Sequence, residues 1–476
     1  MYKLTLILKY LRKRRIAWVS LVAVMLCTTM VLVVISVMGG WLRMFKEGFH
    51  GVTGDVVVAR PGTYAGFPHY EEMIAEIEKL PEVRGAAPVL RSGGLFQAAN
   101  IRDLVQVVGL QAEKMHRVNR FRESLHLQYE RQPQPTTRPA RFDLPLDPEE
   151  YRAQVPRSPQ DVSRWPGMIV GTYLVTRKDK DGNIERPGLM YRVPVKLTVM
   201  GISDDSDTVD LQNKLERRYW IVDDSRTQIW QVDDKTVYVP FEVLQRDLKM
   251  DAFAGEPART NEIAIGLHPG ADLESARKKI EDIVAAVAER HGLPVQRAGG
   301  EASIGLFGAP IRVLAWQEVN AKFIGAVERE KVLVTMLFGI ISIVAVFLIF
   351  CIFFMIVVEK TRDIGIIKSV GATAGGVAQV FLGYGLAIGL TGAILGTAAG
   401  WWIVQNINWL HEQMGRLMGV KIWDPETYAF DTIPSSMNPK EVAVIFTVAV
   451  VASVIGALVP AIRAARLNPV EALRWE

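Results

Sequence analysis

The sequence of 476 residues predicts a membrane α-helical protein with four transmembrane helices and a large extracytoplasmic α+β domain inserted between helices 1 and 2. Three observations predict it. Four apolar runs are each long enough to cross a bilayer, which takes about 20 residues. The stretch between the first two, 43–330, mixes short β-branched runs with amphipathic helical patterns. The short hydrophilic pieces that would face the cytoplasm all carry a basic balance. A mean hydropathy of +0.16 beside 22% charged residues suits a chain divided between lipid and water.

The N-terminal segment 1–15 reads as an interfacial helix. Its leucines can lie in the membrane while Lys3, Lys9, Arg12, Lys13, Arg14 and Arg15 face anionic headgroups. Those six cations, with no acid among them, place the N-terminus in the cytoplasm. The first span, 16–42, is far longer than the roughly 7–15 apolar residues of a secretory signal. Leu26 stands before Cys27, where a lipoprotein signal needs a small residue. One crossing then puts 43–330 outside. The second span, 331–358, brings the chain back, so 359–374 is cytoplasmic. The third and fourth spans, 375–404 and 441–462, bracket an external loop at 405–440. The tail, 463–476, is cytoplasmic and carries Arg463, Arg466 and Arg474.

Within the external domain, "GDVVVAR", "LVQVVGL", "PVKLTVMGI", "KTVYVPF" and "NEIAIGL" read as strands bounded by Gly or Pro. "YEEMIAEIEKL" and "ADLESARKKIEDIVAAVAER" have helical spacing. The Pro-, Arg- and acid-rich stretch near 111–165 reads as an insertion or loop, and a second insertion is expected at Asp204–Asp234. The excess of 55 basic over 51 acidic residues, net +4, is too mild for a nucleic-acid partner. Both cysteines, Cys27 and Cys351, sit in apolar runs and read as packing residues. The seven histidines show no metal-ligand spacing, and no nucleophile elbow, HExxH or GxxxxGK[ST] phosphate loop occurs. Asp204, Asp205, Asp233 and Asp234 read as a solvated acidic face rather than a cation site. No catalytic residue, metal or cofactor is therefore assigned, and any energy for work must come from a partner.

The segment "EKTRDIGIIKSVGAT" stands between two long apolar runs. Its stripe of Ile364, Ile366, Ile367 and Val370 runs beside Lys360, Arg362, Asp363 and Lys368. Such a segment suits docking onto a protein groove, with the ions pairing at the rim, or lying on lipid headgroups. Gly371 is placed to end its helix. The third span carries Gly385, Gly389, Gly392, Gly396 and Gly400, the last three chaining as GxxxGxxxG. Packing within the subunit and a seam between two copies both fit that pattern.

Five motifs in order resemble one family. "KYLRKRRIAWVSLVAV" with "VLVVISVMGGW" is similar to the first helix of the lipoprotein-releasing permeases LolC and LolE, within the MacB/FtsX superfamily of ABC-transporter permeases. "AWQEVNAKFIGAVEREKVLVTM", with Trp316, Asn320, Glu330 and Lys331, resembles their entry into the second span. "VEKTRDIGIIKSVGAT" resembles their loop between spans two and three, "YAFDTIPSSMNPKEV" the stretch before the last span, and "PAIRAARLNPVEALRWE" the superfamily's C-terminal signature.

The resemblance implies a permease subunit in the cell inner membrane that couples ATP hydrolysis by a separate subunit to mechanical work on the periplasmic side. Its task would be the extraction and release of lipoproteins. MacB-like tripartite efflux, or FtsX-like regulation of a cell-wall hydrolase without transport, are the alternatives. The implied partners are an ABC ATPase subunit of the LolD/MacB type, a second permease copy or paralogue, a periplasmic carrier or adaptor, and membrane lipids. The segment Glu359–Gly371, including Gly365, would be the coupling helix seated on the ATPase. Spans one and two lack internal charge and can hold acyl chains. A lipid-modified substrate would meet Met38, Trp41, Met44, Phe45, Phe49, Phe323 and Ile324 near their outer ends, unless these are aromatic-belt residues.

Overall fold

The computed structural model describes residues 15–61, 66–98, 101–131, 138–143, 165–178, 184–185, 194–202, 209–253, 255–297, 309–418, 432–468, 470 and 472. The segment 1–14, most of the Pro-rich stretch, Asp204 and Asp205 lie outside them. In chain order, helix α1 (Arg15–Thr53) is followed by β1 (Val56–Ala59), α2 (Tyr70–Ile77), β2 (Val83–Ala98), β3 (Ile101–Leu110) and α3 (Ala112–Val118). Next come β4 (Gly167–Gly171), β5 (Pro194–Ile202), β6 (Val209–Ser225), β7 (Thr236–Pro240), β8 (Glu262–Leu267), α4 (Leu273–Arg290) and β9 (Arg312–Ala315). The chain closes with α5 (Ala321–Glu359), α6 (Thr361–Ser369), α7 (Ala374–Gln405), α8 (Ile407–Met418) and α9 (Pro439–Arg466). It divides into two compact units, one holding Met1–Met44, Gly325–Trp423 and Thr432–Glu476, the other Phe45–Ile324 with Asp424–Asp431.

Among the described residues, four helices are long and apolar enough to cross a membrane, α1, α5, α7 and α9, and they build the helical unit. Lipid supplies no hydrogen-bond partners, so each must satisfy its backbone internally. Their outer faces are apolar and bare, as at Leu333, Met336, Ile340, Val344 and Phe347 of α5 and Val448, Val451 and Ile455 of α9. α7 is the hub, and its glycines are the reason. A methyl group at Gly385 would lie 2.5 Å from Ala457 Cβ, and one at Gly389 2.7 Å from Ser453 Cβ, both on α9. The next three face α1, 2.8 Å from Val24 Cβ at Gly392, 2.7 Å from the Met25 carbonyl at Gly396, and 2.6 Å from Leu32 Cδ2 at Gly400. Thr29 Oγ1 donates to the Gly396 carbonyl at 3.0 Å. All five therefore bring helices of this one chain together. The expected external loop at 405–440 contains a helix, α8, whose Ile407, Leu410, Met414 and Leu417 follow helical spacing.

The second unit is built on a nine-stranded mixed sheet in the order β9-β1-β8-β2-β3-β7-β4-β6-β5, and β2 also pairs with β5. That extra pairing joins Gly94 to Val199 and Gln97 to Lys196 and closes a ring of six strands. Strands alternate between two cores. Val56, Leu90, Val107, Val237 and Val239 face one with α2 and α4, while Val89, Val108 and Tyr238 face the other. Asp272 caps α4 by accepting from Ser275 N at 3.0 Å.

Two sequence readings need correction. The stretch from Gln111 is not an insertion at its start. Ala112, Met115, Val118, Phe121 and Leu125 cover the second face of the sheet, so residues 111–131 are core structure. The second expected insertion, Asp204–Asp234, contains a central strand instead. β6 runs between β4 and β5, with Tyr219, Ile221 and Val222 buried.

Candidate functional site

The segment expected to dock is a short helix, α6, with an unequal pair of faces. Ile364 is 4% exposed and joins an apolar cluster made by α1, α5, α7 and α9, beside Phe353, Val377 and Ala461. Thr361 is buried and its hydroxyl donates to the Val358 carbonyl at 2.8 Å, continuing α5 into α6. The opposite face is bare. Ile366 is 47% and Val370 84% exposed, with Arg362 and Ser369 exposed beside them. The positions 362, 366 and 369–370 fall on one side of a helix. Gly365 is buried and Ile367 half-buried.

Gly371 ends α6 with φ +106°, a left-handed conformation that suits glycine. Its N–H donates to the Lys368 carbonyl at 3.1 Å, and Ala372 N to the Ile367 carbonyl at 3.1 Å. That pair of bonds is a Schellman cap. Lys360 and Asp363 form an ion pair within the first turn.

Lys368 is not a rim residue. Its ammonium donates to the Ala465 carbonyl at 2.9 Å and the Leu467 carbonyl at 2.6 Å. Both carbonyls belong to the C-terminal end of α9, where the helix has no partners of its own and carries partial negative charge. Lys368 therefore staples α6 to α9. The expected apolar stripe also splits, because Ile364 faces its own subunit while Ile366 and Val370 face outward.

The residues expected to meet a lipid-modified substrate separate as well. Phe45, Phe49 and Ile324 are buried, and the Phe49 ring lies 5.5 Å from that of Phe323. Burial within the chain removes those three from direct contact with an acyl chain. Phe323, half exposed, remains available, and Met38, Trp41 and Met44 are half-buried. An apolar cavity of about 220 Å³ lies elsewhere, between α1, α5 and α9, lined by Cys27, Val31, Ile35, Phe338, Ser342 and Val448 among others.

Asp204 and Asp205 lie outside the described residues, and Asp233 is not part of a solvated face. Asp233 is fully buried and accepts from Thr227 N at 2.8 Å, Thr227 Oγ1 at 2.7 Å and Gln228 N at 3.1 Å, and burial pushes its carboxyl up to about 7. It holds the turn before Trp230. Asp234 is partly exposed, 3.6 Å from Lys235 Nζ, which also pairs with Asp103. Sequence spacing showed no metal pattern among the histidines, yet the fold brings His69, Glu72 and His291 together.

Among the described residues, four helices long and apolar enough to cross a membrane mark a multi-pass membrane protein. Residues 335–469 match the FtsX-like permease C-terminal family, so the chain carries an FtsX-like permease domain. Over 98% of both chains it is 23% identical to the lipoprotein-releasing system transmembrane protein LolC of Xylella fastidiosa (strain 9a5c). It is 30% identical to LolC of Neisseria meningitidis serogroup B across 161 residues, 34% of this chain and 39% of that one. The periplasmic region of MacB from Actinobacillus actinomycetemcomitans aligns with 57% of this chain and 93% of its own, at 9% identity and a TM-score of 0.29, too slight a likeness to carry an argument.

Proposed function

We propose that this chain is the transmembrane subunit of an ABC transporter in the inner membrane, worked by a separate ATPase, and that it extracts lipoproteins toward a periplasmic carrier. The observation that carries the reading is the exposed face of α6, Arg362, Ile366, Ser369 and Val370, on a helix whose other face is anchored in its own subunit. An apolar face rimmed by charge at the inner end of two spans suits a groove on a partner. The sequence has no phosphate-binding loop, so the ATP would be hydrolysed by that partner. The full-length similarity to LolC supports lipoproteins as the cargo.

The mechanical route follows from the anchors. Closure of the ATPase would pull α6. Lys368 would carry the pull to α9, and Ile364 to α1, α5 and α7. α1 and α5 each run unbroken for 39 residues. At 1.5 Å per residue each is about 58 Å long, roughly twice the hydrocarbon thickness of about 30 Å. With the basic N-terminus in the cytoplasm, each helix would be long enough to cross the hydrocarbon and continue beyond it. Phe323 would lie where a lipid-modified substrate leaves the bilayer, with a second copy or paralogue completing the site.

The test is purification of the complex from its native membrane in mild detergent, with identification of every subunit and of bound lipids. The expected result is an ABC ATPase and lipoproteins, with ATP-dependent release to a carrier from proteoliposomes. An adaptor and outer-membrane channel, or a cell-wall hydrolase, in their place would refute the lipoprotein assignment.

A further inference from the structure

Three side chains far apart in sequence meet on the strand unit. His69 and Glu72 stand at the start of α2, and His291 follows the last residue of α4. One ligand atom from each, two imidazole nitrogens and a carboxylate oxygen, lies within 4.8 Å of the others. We propose that His69, Glu72 and His291 form a binding site for a divalent transition ion of the zinc class, with water in the fourth position.

The donor set selects the ion. Imidazole suits Zn²⁺, Co²⁺, Ni²⁺ and Cu²⁺, whereas Mg²⁺ and Ca²⁺ prefer oxygen alone and Cu⁺ prefers sulfur. Two histidines and a carboxylate with one open position is a recurrent zinc arrangement. The backbone supports the reading. His69 has φ 59° and ψ 23°, a left-handed conformation uncommon for a residue with a side chain. Its side chain makes no capping bond to α2, although its carbonyl accepts from Met73 N at 3.2 Å. The imidazole is instead turned onto His291, the rings 3.6 Å apart and 8° from parallel.

Glu72 is already held in place. One carboxylate oxygen lies 2.7 Å from His291 Nε2 and the other 2.6 Å from Arg290 Nη1. In the stacked arrangement the two imidazole lone pairs lie in nearly parallel planes about 3.6 Å apart. To bind one ion at about 2.0–2.1 Å, the rings must splay so that the lone pairs converge. Both histidines are at least partly exposed, so the rotation displaces no core side chain. Glu72 then exchanges His291 for the ion on one oxygen and keeps Arg290 on the other. Arg290 would orient a ligating carboxylate from outside the coordination shell. The ion would clamp the start of α2 to the end of α4, residues 69 and 291 of the chain. The site is independent of the transport reading.

The experiment uses the full-length chain without a histidine tag, in detergent, titrated with Co²⁺ alone. The expected result is saturable binding of about one ion per chain, with the visible absorption of a tetrahedral site, and a higher Tm with Zn²⁺. His69→Gly keeps the left-handed backbone relaxed, so the fold is retained while binding is lost. His291→Gln, at an exposed position, should likewise abolish the Co²⁺ spectrum. Arg290→Gln should weaken binding about 10–100-fold. No saturable Co²⁺ binding by the wild-type chain, or binding unchanged in His69→Gly and His291→Gln, overturns the proposal.

Discussion

Replacing Ile366 by Asp tests the docking face of α6 most directly. Full burial of an isoleucine stabilises by about 1.5–3 kcal/mol. Ile366 is 47% exposed, so a partner has about half of that left to remove, roughly 0.7–1.5 kcal/mol. A carboxylate without a partner in an apolar groove adds at least about 1–3 kcal/mol. The sum is about 1.7–4.5 kcal/mol, or a loss of affinity of roughly 15-fold or more. The permease itself should fold normally, because that side chain faces outward. The same change at Ile364 should do the reverse. It would place a charge in the cluster of Phe353, Val377 and Ala461, and the chain should fail to accumulate as a folded monodisperse species.

Lys368→Met completes the set. An exposed ion pair would contribute only about 0–1 kcal/mol. Lys368 instead donates to two carbonyls at the end of α9, and hydrogen bonds from a charged group contribute about 1.5–3 kcal/mol. The variant should lower the Tm clearly and leave the exposed face intact for the ATPase. The assays are partner co-purification, binding affinity in detergent and thermal unfolding of each variant. Wild-type affinity and transport in a folded Ile366→Asp chain would mean that this face does not dock.

Three further outcomes are expected. Gly396→Val places a side chain 2.7 Å from the Met25 carbonyl and 2.8 Å from Thr28 Cβ, so overpacking of about 1–3 kcal/mol should lower the Tm; Gly339→Ala, with nothing within 4 Å, should be neutral or slightly stabilising in the isolated chain. A reporter fused at Gly182 should be active only as an extracytoplasmic reporter, and cytoplasmic activity there would invert the topology. Burial raises the carboxyls of Asp223 and Asp233 from 3.8 to about 7, so the folded state holds protons that the unfolded chain has released. Their contribution is full below about pH 4 and is lost as pH rises through about 7, and a Tm that instead climbs across that interval would contradict it.

What could be read from the sequence depended on whether the constraint was local. Lipid demands about 20 apolar residues in a row, so α1, α5, α7 and α9 announce themselves within single windows. β1, β3, β5, β7 and β8 do so through β-branched runs. β2 hides because Gly85, Pro88, Gly93 and Gly94 break the pattern while neighbours on both edges supply its partners. β6 hides because "DLQNKLERRYWIVDD" flanks buried Tyr219, Ile221 and Val222 with charges on both sides, and the charges dominate any average. Residues 111–131 looked like a loop because their helices are too short to show a period, and only the sheet they cover explains Met115 and Phe121.

The site residues divide in the same way. The periodicity of α6 is visible, but period alone does not say which face meets the subunit and which meets a partner. That choice is made by Phe353, Val377 and Ala461, distant in the chain. Lys368 is the sharper case. Its acceptors are backbone carbonyls, which every residue carries, so no residue type at positions 465 and 467 could have signalled the contact. A lysine near the end of a cytoplasmic helix reads as a rim charge unless the end of another helix arrives beside it. Since α6 is held at one end by α5 and along its length by Ile364 and Lys368, a force on Ile366 has no slack to take up within α6. In the proposed coupling, the stiffness needed to transmit a partner's movement would reside in contacts between elements, while the face that would receive the movement is legible as a stripe.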